Sequence, residues 1–291
     1  MTPAVPNLLL TRLLPTYALT AFLLSCSCGH SAHKRTYPPP DRSELLSALS
    51  ARRAAVSSLN VQTRTTSWMG GDRVAATVLM LVERSGKLRF EAEVSLKGTV
   101  AALATDRQSF QLLDLERQAF HTGPACPQNV ARLVRIPLAP QDIAPILLGD
   151  GPVDQNSRLI GADWDGNSGA ERLEWETKQP DGSNKRVRML LQKRNRGWVV
   201  LGVEGTSGPS GGQAHQARWW RVRYDDFVWV SSVYMPGVIR FAEPGASFDD
   251  GVEIKIRDRR MNPQIPPTDF HIMPPPNMFV EQLGCDEGET R

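Results

Sequence analysis

The sequence lacks an apolar run long enough to cross a bilayer as a permanent helix. Its most apolar stretch extends from Leu13 to Leu24 and is interrupted by Pro15, whereas a membrane-spanning helix needs about 20 predominantly apolar residues. The sequence also lacks an excess of either charge, because 34 Lys and Arg residues are balanced by 31 Asp and Glu residues, for a net charge of +3. This balance gives no electrostatic reason to predict nucleic acid as a partner.

Signatures of catalysis and of phosphate binding are missing as well. The sequence contains no H-E-x-x-H, G-x-S-x-G or phosphate-loop pattern, and its 5 histidines are scattered along the chain. We therefore predict no catalytic residues and no cofactor. A hydrolase whose active site combines residues distant in sequence stays open as a third functional class.

A metal site is also not predicted, although one segment partly imitates a calcium-binding loop. Asp163 and Asp165 are followed by Glu174 at the twelfth position of such a loop, and Ca²⁺ is bound by carboxylate oxygens at these places. The sixth position, however, is Ser168, where the sharp turn of the loop needs glycine. We interpret the segment as a polar turn that leads into a strand.

The start of the sequence resembles a bacterial lipoprotein signal. The apolar run ends in Leu23-Leu24-Ser25-Cys26, after which the chain becomes polar at once. In a lipobox, small residues follow a leucine and precede a cysteine whose thiol attacks the lipid donor at the membrane surface. The resemblance implies a signal peptide over residues 1–25 and an acyl chain such as palmitate on Cys26. An ordinary secretory signal that is cleaved nearby is the alternative.

A lipobox implies a protein that a lipid anchor holds on a membrane of the bacterial cell envelope. In enterobacterial lipoproteins, aspartate after the acylated cysteine favours retention in the inner membrane. Ser27 stands at that place, so we predict the outer membrane, facing the periplasm. Two features depart from the pattern, because Arg12 is the only basic residue before the apolar run and Cys28 offers a second thiol.

The rest of the chain is predicted to divide into a tether and one domain. Residues 26–41 include Pro38-Pro39-Pro40 and are predicted to form a flexible tether, and residues 42–291 a single domain. Two cysteines, Cys126 and Cys285, lie within the domain. An oxidising compartment would permit them to form a disulfide, and two unpaired thiols are the alternative.

Alternating polarity predicts that this domain is mainly β. Every second residue of Leu88–Leu96 is apolar, and the residues between them are polar or charged, which is typical of a strand with one buried face. Apolar residues also occupy every second position of Val74–Val82, and the alternation recurs at hairpin spacing over Leu173–Ile256. A helix is predicted from about residue 41 to Leu59, and two short helices are predicted within the proline-rich segment Gly123–Gly149.

Roughly ten or eleven strands are predicted in all, and an incomplete antiparallel β-barrel is one way to bury the apolar face of their sheet. The N-terminal helix and the short central helices are the elements available to cover it. An empty interior would be an apolar cavity, whereas an interior filled by side chains would make the protein a scaffold. The candidate cavity-lining residues lie on the apolar face of the clearest predicted strand and are Leu88, Phe90, Ala92, Val94 and Leu96.

The whole arrangement resembles the LolA/LolB superfamily of lipoprotein carriers and receptors. Local similarities are the strand Lys87–Lys97, the segment Thr105–Phe110 and the closing segment Asn262–Phe270, and the resemblance extends over Arg42–Ile272. Members of the superfamily fold as an incomplete barrel whose helices cover an apolar cavity that accepts the acyl chains of lipoproteins. The membrane-anchored receptor type also uses an exposed apolar loop residue, which the sequence alone does not place.

Two functional hypotheses follow, and neither of them is an enzyme. The first is an envelope lipoprotein that binds lipid acyl chains or lipoproteins in its cavity and assists their localisation at the outer membrane. The second is a structural or assembly lipoprotein with a filled barrel, which binds an envelope protein as its partner. The two hypotheses differ in whether the interior is empty. The sequence predicts no oligomeric state.

Overall fold

The computed structural model describes residues 33–69, 72–94, 96–179, 182–207 and 218–285. The predicted signal peptide and Cys26 lie outside these residues. In the described ranges the chain is mainly β, with 16 strands and 3 α-helices. No helix in these ranges is both long enough and apolar enough to cross a membrane.

The three helices are α1 (Arg42–Ala55), α2 (Pro127–Val134) and α3 (Pro140–Leu147). The strands, in chain order from β1 to β16, are Ser58–Met69, Asp72–Glu83, Leu88–Val94, Gly98–Thr105, Ser109–Asp114, Ala119–Pro124, Arg158–Asp165, Ala170–Lys178, Asn184–Arg194, Gly197–Ser207, Arg218–Asp225, Val228–Val230, Val233–Met235, Val238–Ala242, Val252–Met261 and Phe279–Gln282.

Fourteen of the strands form one large open sheet, and β12 and β13 form a separate hairpin. The order in the sheet is β16-β6-β5-β4-β3-β2-β1-β15-β14-β11-β10-β9-β8-β7. Neighbouring strands pair antiparallel except for β16 and β6, which run parallel. The incomplete antiparallel barrel is confirmed, but the predicted ten or eleven strands are too few.

Strand β1 shows why strands were missed. Its inward side includes Thr63, which is fully buried, so the alternation of apolar and polar residues does not mark this strand. The buried hydroxyl group of Thr63 donates to the carbonyl of Val78 on β2, at 3.0 Å, and a buried polar group needs such a partner. Because Val56 is already extended, α1 ends at Ala55 and not near Leu59 as predicted.

Helices and sheet share one hydrophobic core. Helix α1 contacts β10, α2 contacts β4 and β5, and α3 contacts β2. The two short helices predicted from the central segment are therefore present, and they cover the inner face of the sheet. Their buried apolar residues, together with those of α1, are Leu45, Leu49, Val130, Val134, Ile143, Ala144, Ile146 and Leu147.

A buried carboxylate connects α1, α3 and the β2–β3 hairpin. Asp150, whose side chain is 0% exposed, pairs through Oδ2 with Nε of Arg53 and with Nη1 of Arg84, each at 2.9 Å. Its other oxygen accepts the backbone N–H of Gly151 at 2.8 Å. Arg84 also donates to the carbonyl of Val56, where α1 ends, at 2.8 and 3.0 Å. We call Asp150, Arg53 and Arg84 the Asp150 latch.

The C-terminus of α3 is satisfied by side chains from elsewhere. Gly149 has a left-handed φ of 74° and ends the helix in a Schellman turn, because Asp150 N–H donates to the Pro145 carbonyl at 2.9 Å. Buried Arg52 then donates to the carbonyls of Leu148 and Gly149, each at 3.0 Å. Burial lowers the pKa of Arg52 from its ordinary value, although Asp150 opposes this shift.

A disulfide connects the start of α2 to the end of the described chain. Cys126 is the residue before α2, and it is bonded to Cys285 with the Cα atoms 6.0 Å apart. The side-chain amide of Asn129 strengthens this junction by donating to the carbonyls of Pro124 and Gly284, at 2.9 and 3.2 Å. The C-terminal strand and the lid helix α2 are therefore held together.

The last part of the predicted tether is packed against the sheet. His33 N–H donates to the carbonyl of Gly166 at 2.7 Å, and the Trp164 indole donates to the carbonyl of His33 at 3.0 Å. Arg35 pairs with Glu171, which is buried in β8, at 2.7 Å. These contacts hold the segment from residue 33 onward against the sheet. A flexible tether is therefore proposed only for residues 26–32, which lie outside the described residues.

We predict that Asp150→Asn lowers the free energy of unfolding by about 3 kcal/mol, because removing one partner of a buried ion pair leaves the other charges without compensation. Urea denaturation followed by circular dichroism measures this change. Asp163→Asn is the matched control, since Asp163 is 52% exposed and pairs with Arg172 on the surface, where a pair contributes about 1 kcal/mol or less. Equal decreases in the free energy of unfolding of the two variants would contradict a special role for the Asp150 latch.

We predict that replacing Cys126 and Cys285 by serine lowers the free energy of unfolding by about 3 to 5 kcal/mol, because the bond closes a long loop in the unfolded chain. The two cysteines are 159 positions apart in sequence. Thermal denaturation measures the effect, and Cys28→Ser, which leaves this pair intact, should show none. Peptide mapping under non-reducing conditions that found both thiols free in envelope-isolated protein would refute the pairing.

Candidate functional site

An open apolar cavity of about 420 Å³ lies between α2 and the inner face of the sheet. It is bordered by β1 to β4, by the end of β5 and by β15. The apolar residues of its lining are Val74, Ala75, Ala76, Val78, Met80, Phe90, Ala92, Val94, Val100, Ala101, Leu133, Val134 and Ile254.

The cavity exists because the inward side chains become smaller along the strands. In one row across the sheet, Met80 is opposite Phe90, and these bulky side chains form the floor. In the next row Val78 is opposite Ala92, which is opposite Ala101. The two alanines leave space that the larger residues of the preceding row fill, so the interior is closed on one side of Phe90 and empty on the other.

The structure places three of the five predicted lining residues in the cavity. Phe90, Ala92 and Val94 line it. Leu88 is fully buried but lies one row deeper, in the filled part of the core. Leu96 is outside the cavity and is fully exposed. This prediction was therefore wrong for Leu88 and Leu96.

The position of Leu96 follows from a turn that the alternating pattern does not reveal. Strand β3 ends at Val94, and the N–H of Lys97 donates to the Val94 carbonyl at 3.1 Å. Leu96 therefore lies within the turn that this bond closes, and it has a left-handed φ of 72°. We call this end of the sheet, where β3 ends at Val94 and β4 begins at Gly98, the mouth end, because the lining residues Val94 and Val74 are exposed there.

Charged side chains surround the mouth of the cavity. Asp114 pairs with Arg117 at 3.0 Å, and Glu116 pairs with Lys97 at 2.9 Å. Arg132 and Arg135, at the end of α2, border the cavity and are exposed. Neither arginine forms an ion pair with any residue that the structure describes. Sequence reasoning missed these side chains, because they lie in turns and at a helix end, where the alternation of polar and apolar residues that identifies strands is absent.

The segment that imitates a calcium loop is a hairpin turn with its own partners. Asp163 pairs with Arg172, and Asp165 accepts the backbone N–H of Asn167 at 3.1 Å. Glu174 pairs with Arg188 at 3.0 Å. Nowhere in the described ranges do three or more His, Cys, Asp or Glu side chains converge on a position suited to a metal ion.

No family model and no curated protein matches this sequence. Solved structures do share its fold. A domain from Vibrio parahaemolyticus that is named for outer membrane lipoprotein sorting has a TM-score of 0.53 and 9% identity, over 77% of this chain and 95% of its own. A DUF1329 family protein from Desulfovibrio piger has a TM-score of 0.50 and 9% identity, with 77% and 97% covered.

The resemblance found in the sequence is supported by a further structure. A LolA superfamily protein from Nitrosomonas europaea has a TM-score of 0.52 and 14% identity, over 78% of this chain and 97% of its own. Identities this low establish the fold alone. This chain has a LolA-like fold, as its order of helices and strands predicted.

Proposed function

We propose that the protein is an envelope lipoprotein that binds the acyl chain of a lipid or lipoprotein in its cavity, while an acylated Cys26 anchors it to a membrane. The observation that carries this proposal is the open apolar cavity beneath α2. Its volume of about 420 Å³ is within the range of about 300–1,000 Å³ that is typical of small-molecule sites. The LolA-like fold supports the same ligand class.

The mouth of the cavity suits a ligand with an anionic head. A predominantly apolar lining accepts hydrocarbon, and a few polar groups at its border fix the orientation of a ligand. Arg132 and Arg135 supply cationic groups at the border, and guanidinium groups bind carboxylate and phosphate in a bidentate manner. An amphiphile would therefore place its chain on Phe90 and its head between the two arginines.

Leu96 supplies an apolar contact outside the mouth. Its side chain is exposed, two residues after Val94, which lines the cavity. An acyl chain that passes from another carrier to the cavity must cross water, and an apolar surface along the way lowers the cost of that exposure. We infer that Leu96 is the exposed apolar loop residue that the resemblance to the receptor type implies.

We predict that Cys26→Ala abolishes lipid labelling of the protein and leaves it uncleaved or released from the envelope membrane. The thiol of this residue is the proposed acceptor of the lipid. Incorporation of radiolabelled palmitate, together with fractionation of the membranes, measures both effects. Cys28→Ala is the matched control and should be labelled normally. Undiminished labelling of the Cys26→Ala protein would exclude Cys26 as the main anchor.

We predict that Ala92→Leu reduces binding of a dansylated fatty acid at least tenfold and changes the free energy of unfolding by less than about 1 kcal/mol. The added carbons enter empty space beside Phe90 and displace the ligand without crowding the protein. In a filled core the same substitution would cost about 1–3 kcal/mol. Fluorescence titration and urea denaturation of the same preparations measure the two quantities.

The control for this experiment is Ala162→Leu, which adds the same side chain at an exposed position of β7. It should change neither quantity. If Ala92→Leu destabilised the protein and wild-type protein bound no fatty acid, the interior would be a filled scaffold. The partner would then be an envelope protein that contacts the outer surface.

A further inference from the structure

One end of the sheet holds the described N-terminal segment. His33 is hydrogen-bonded at the turn between β7 and β8. Farther along, the ring of Tyr37 packs edge-on against Trp198 at the start of β10, with the centroids 5.6 Å apart. His33, the first residue that the structure describes, therefore lies at this end, which we call the anchor end: the turns between β7 and β8 and between β9 and β10.

The anchor end is opposite the mouth end. Antiparallel pairs lead from β3 through β2, β1, β15, β14, β11 and β10 to β9. Because the direction alternates at every step, the end of β9 lies at the other end of the sheet from the end of β3. The β12–β13 hairpin follows the end of β11, at Asp225, so it belongs to the anchor end as well.

Basic and aromatic side chains come together on this end. The guanidinium group of Arg196 lies 5.4 Å from the ring centroid of Trp229, and that of Arg194 lies 5.2 Å from the ring centroid of Phe227. Trp229 is 37% exposed. We call Arg194, Arg196, Phe227 and Trp229 the basic–aromatic surface. Its two exposed arginines outnumber the adjacent acidic residue, Asp226, so the surface is net positive.

The hairpin that carries Trp229 is held in a fixed position. Its two-residue turn, Ser231-Ser232, has left-handed φ values of 45° and 70°, as a tight hairpin turn requires. Met235 on its inner side is buried in the core, and Arg52 donates to the carbonyl of Tyr234 at 2.5 Å. The outer side, where Trp229 packs on Tyr234 with the centroids 4.7 Å apart, projects away from the core.

We propose that the basic–aromatic surface docks on the anionic phospholipid bilayer in which the lipid on Cys26 is inserted. This inference rests on the proposed lipid anchor. Cys26 and His33 are seven residues apart, and an extended chain of that length spans at most about 25 Å. The anchor end therefore cannot move far from the bilayer. Tryptophan favours the interface between lipid and water, and arginine is attracted by anionic headgroups.

Docking at the anchor end has a consequence for the cavity. Because the mouth end is at the opposite end of the sheet, Leu96 and the mouth would face away from the anchoring membrane. The ligand would then arrive from the aqueous side on a carrier, and would not be extracted directly from the lipids beneath the protein.

The test uses the complete lipidated protein in vesicles of brominated phosphatidylcholine mixed with phosphatidylglycerol. Bromine quenches tryptophan that enters the lipid interface. Wild-type fluorescence should be quenched, and Trp229→Phe should remove most of this quenching. Replacing Arg194 and Arg196 by glutamine should weaken docking about fivefold for each arginine removed, as should vesicles without phosphatidylglycerol.

Trp68→Phe is the matched control, because Trp68 lies near the end of β1, at the mouth end, and should leave the quenching unchanged. Flotation of the vesicles is recorded in parallel. Protein that does not float with them would refute the lipid anchor itself. Protein that floats but keeps its quenching in Trp229→Phe, or loses it in Trp68→Phe, would overturn the docking surface and leave the anchor standing.

Discussion

The buried carboxylate of Asp150 constrains how the helices lie on the sheet. A carboxylate without a partner in the interior is costly, so Arg53 and Arg84 must both reach it. Arg53 brings α1, and Arg84 brings the hairpin between β2 and β3. Arg52 then covers the open carbonyls at the end of α3. The placement of α1 and α3 is therefore fixed by a few polar contacts of defined geometry as well as by apolar burial, which has no preferred direction.

The cavity is the part of the inner face that these helices do not reach. A sheet of fourteen strands presents more apolar surface than three short helices can cover. Beneath α3 and α1, large side chains such as Leu88 fill the space between helix and sheet. Beneath α2, the sheet presents the small side chains of Ala92 and Ala101, and the space stays open. The helix that covers the cavity is held at its start by the disulfide at Cys126 and ends beside the mouth.

The two ends of the sheet have different chemistry. The mouth end combines exposed apolar side chains with arginines that have no ionic partner among the described residues, a combination suited to an amphiphile. At the anchor end, aromatic rings are stacked under arginines around a rigid hairpin, a combination suited to an interface between lipid and water. Because strands connect the ends, the ligand site and the proposed membrane contact keep a fixed separation. A protein of this design would receive a ligand on one side while it is held on the other.

The sequence by itself determined the local features: the inward parity of Phe90 and Ala92, the two short central helices and the resemblance to a LolA-like fold. The spacing of apolar residues and the residue types that form turns depend on neighbours in the sequence, so both can be recognised without coordinates. Only the tertiary structure decided the features that depend on pairing between distant segments. These include the strand β1, whose buried Thr63 is acceptable because Val78 offers a carbonyl, and the contact of residue 33 with the β7–β8 turn. The position of Leu96 was decided in the same way, since the turn after Val94, not the alternation of polarity, sets the face on which that residue lies.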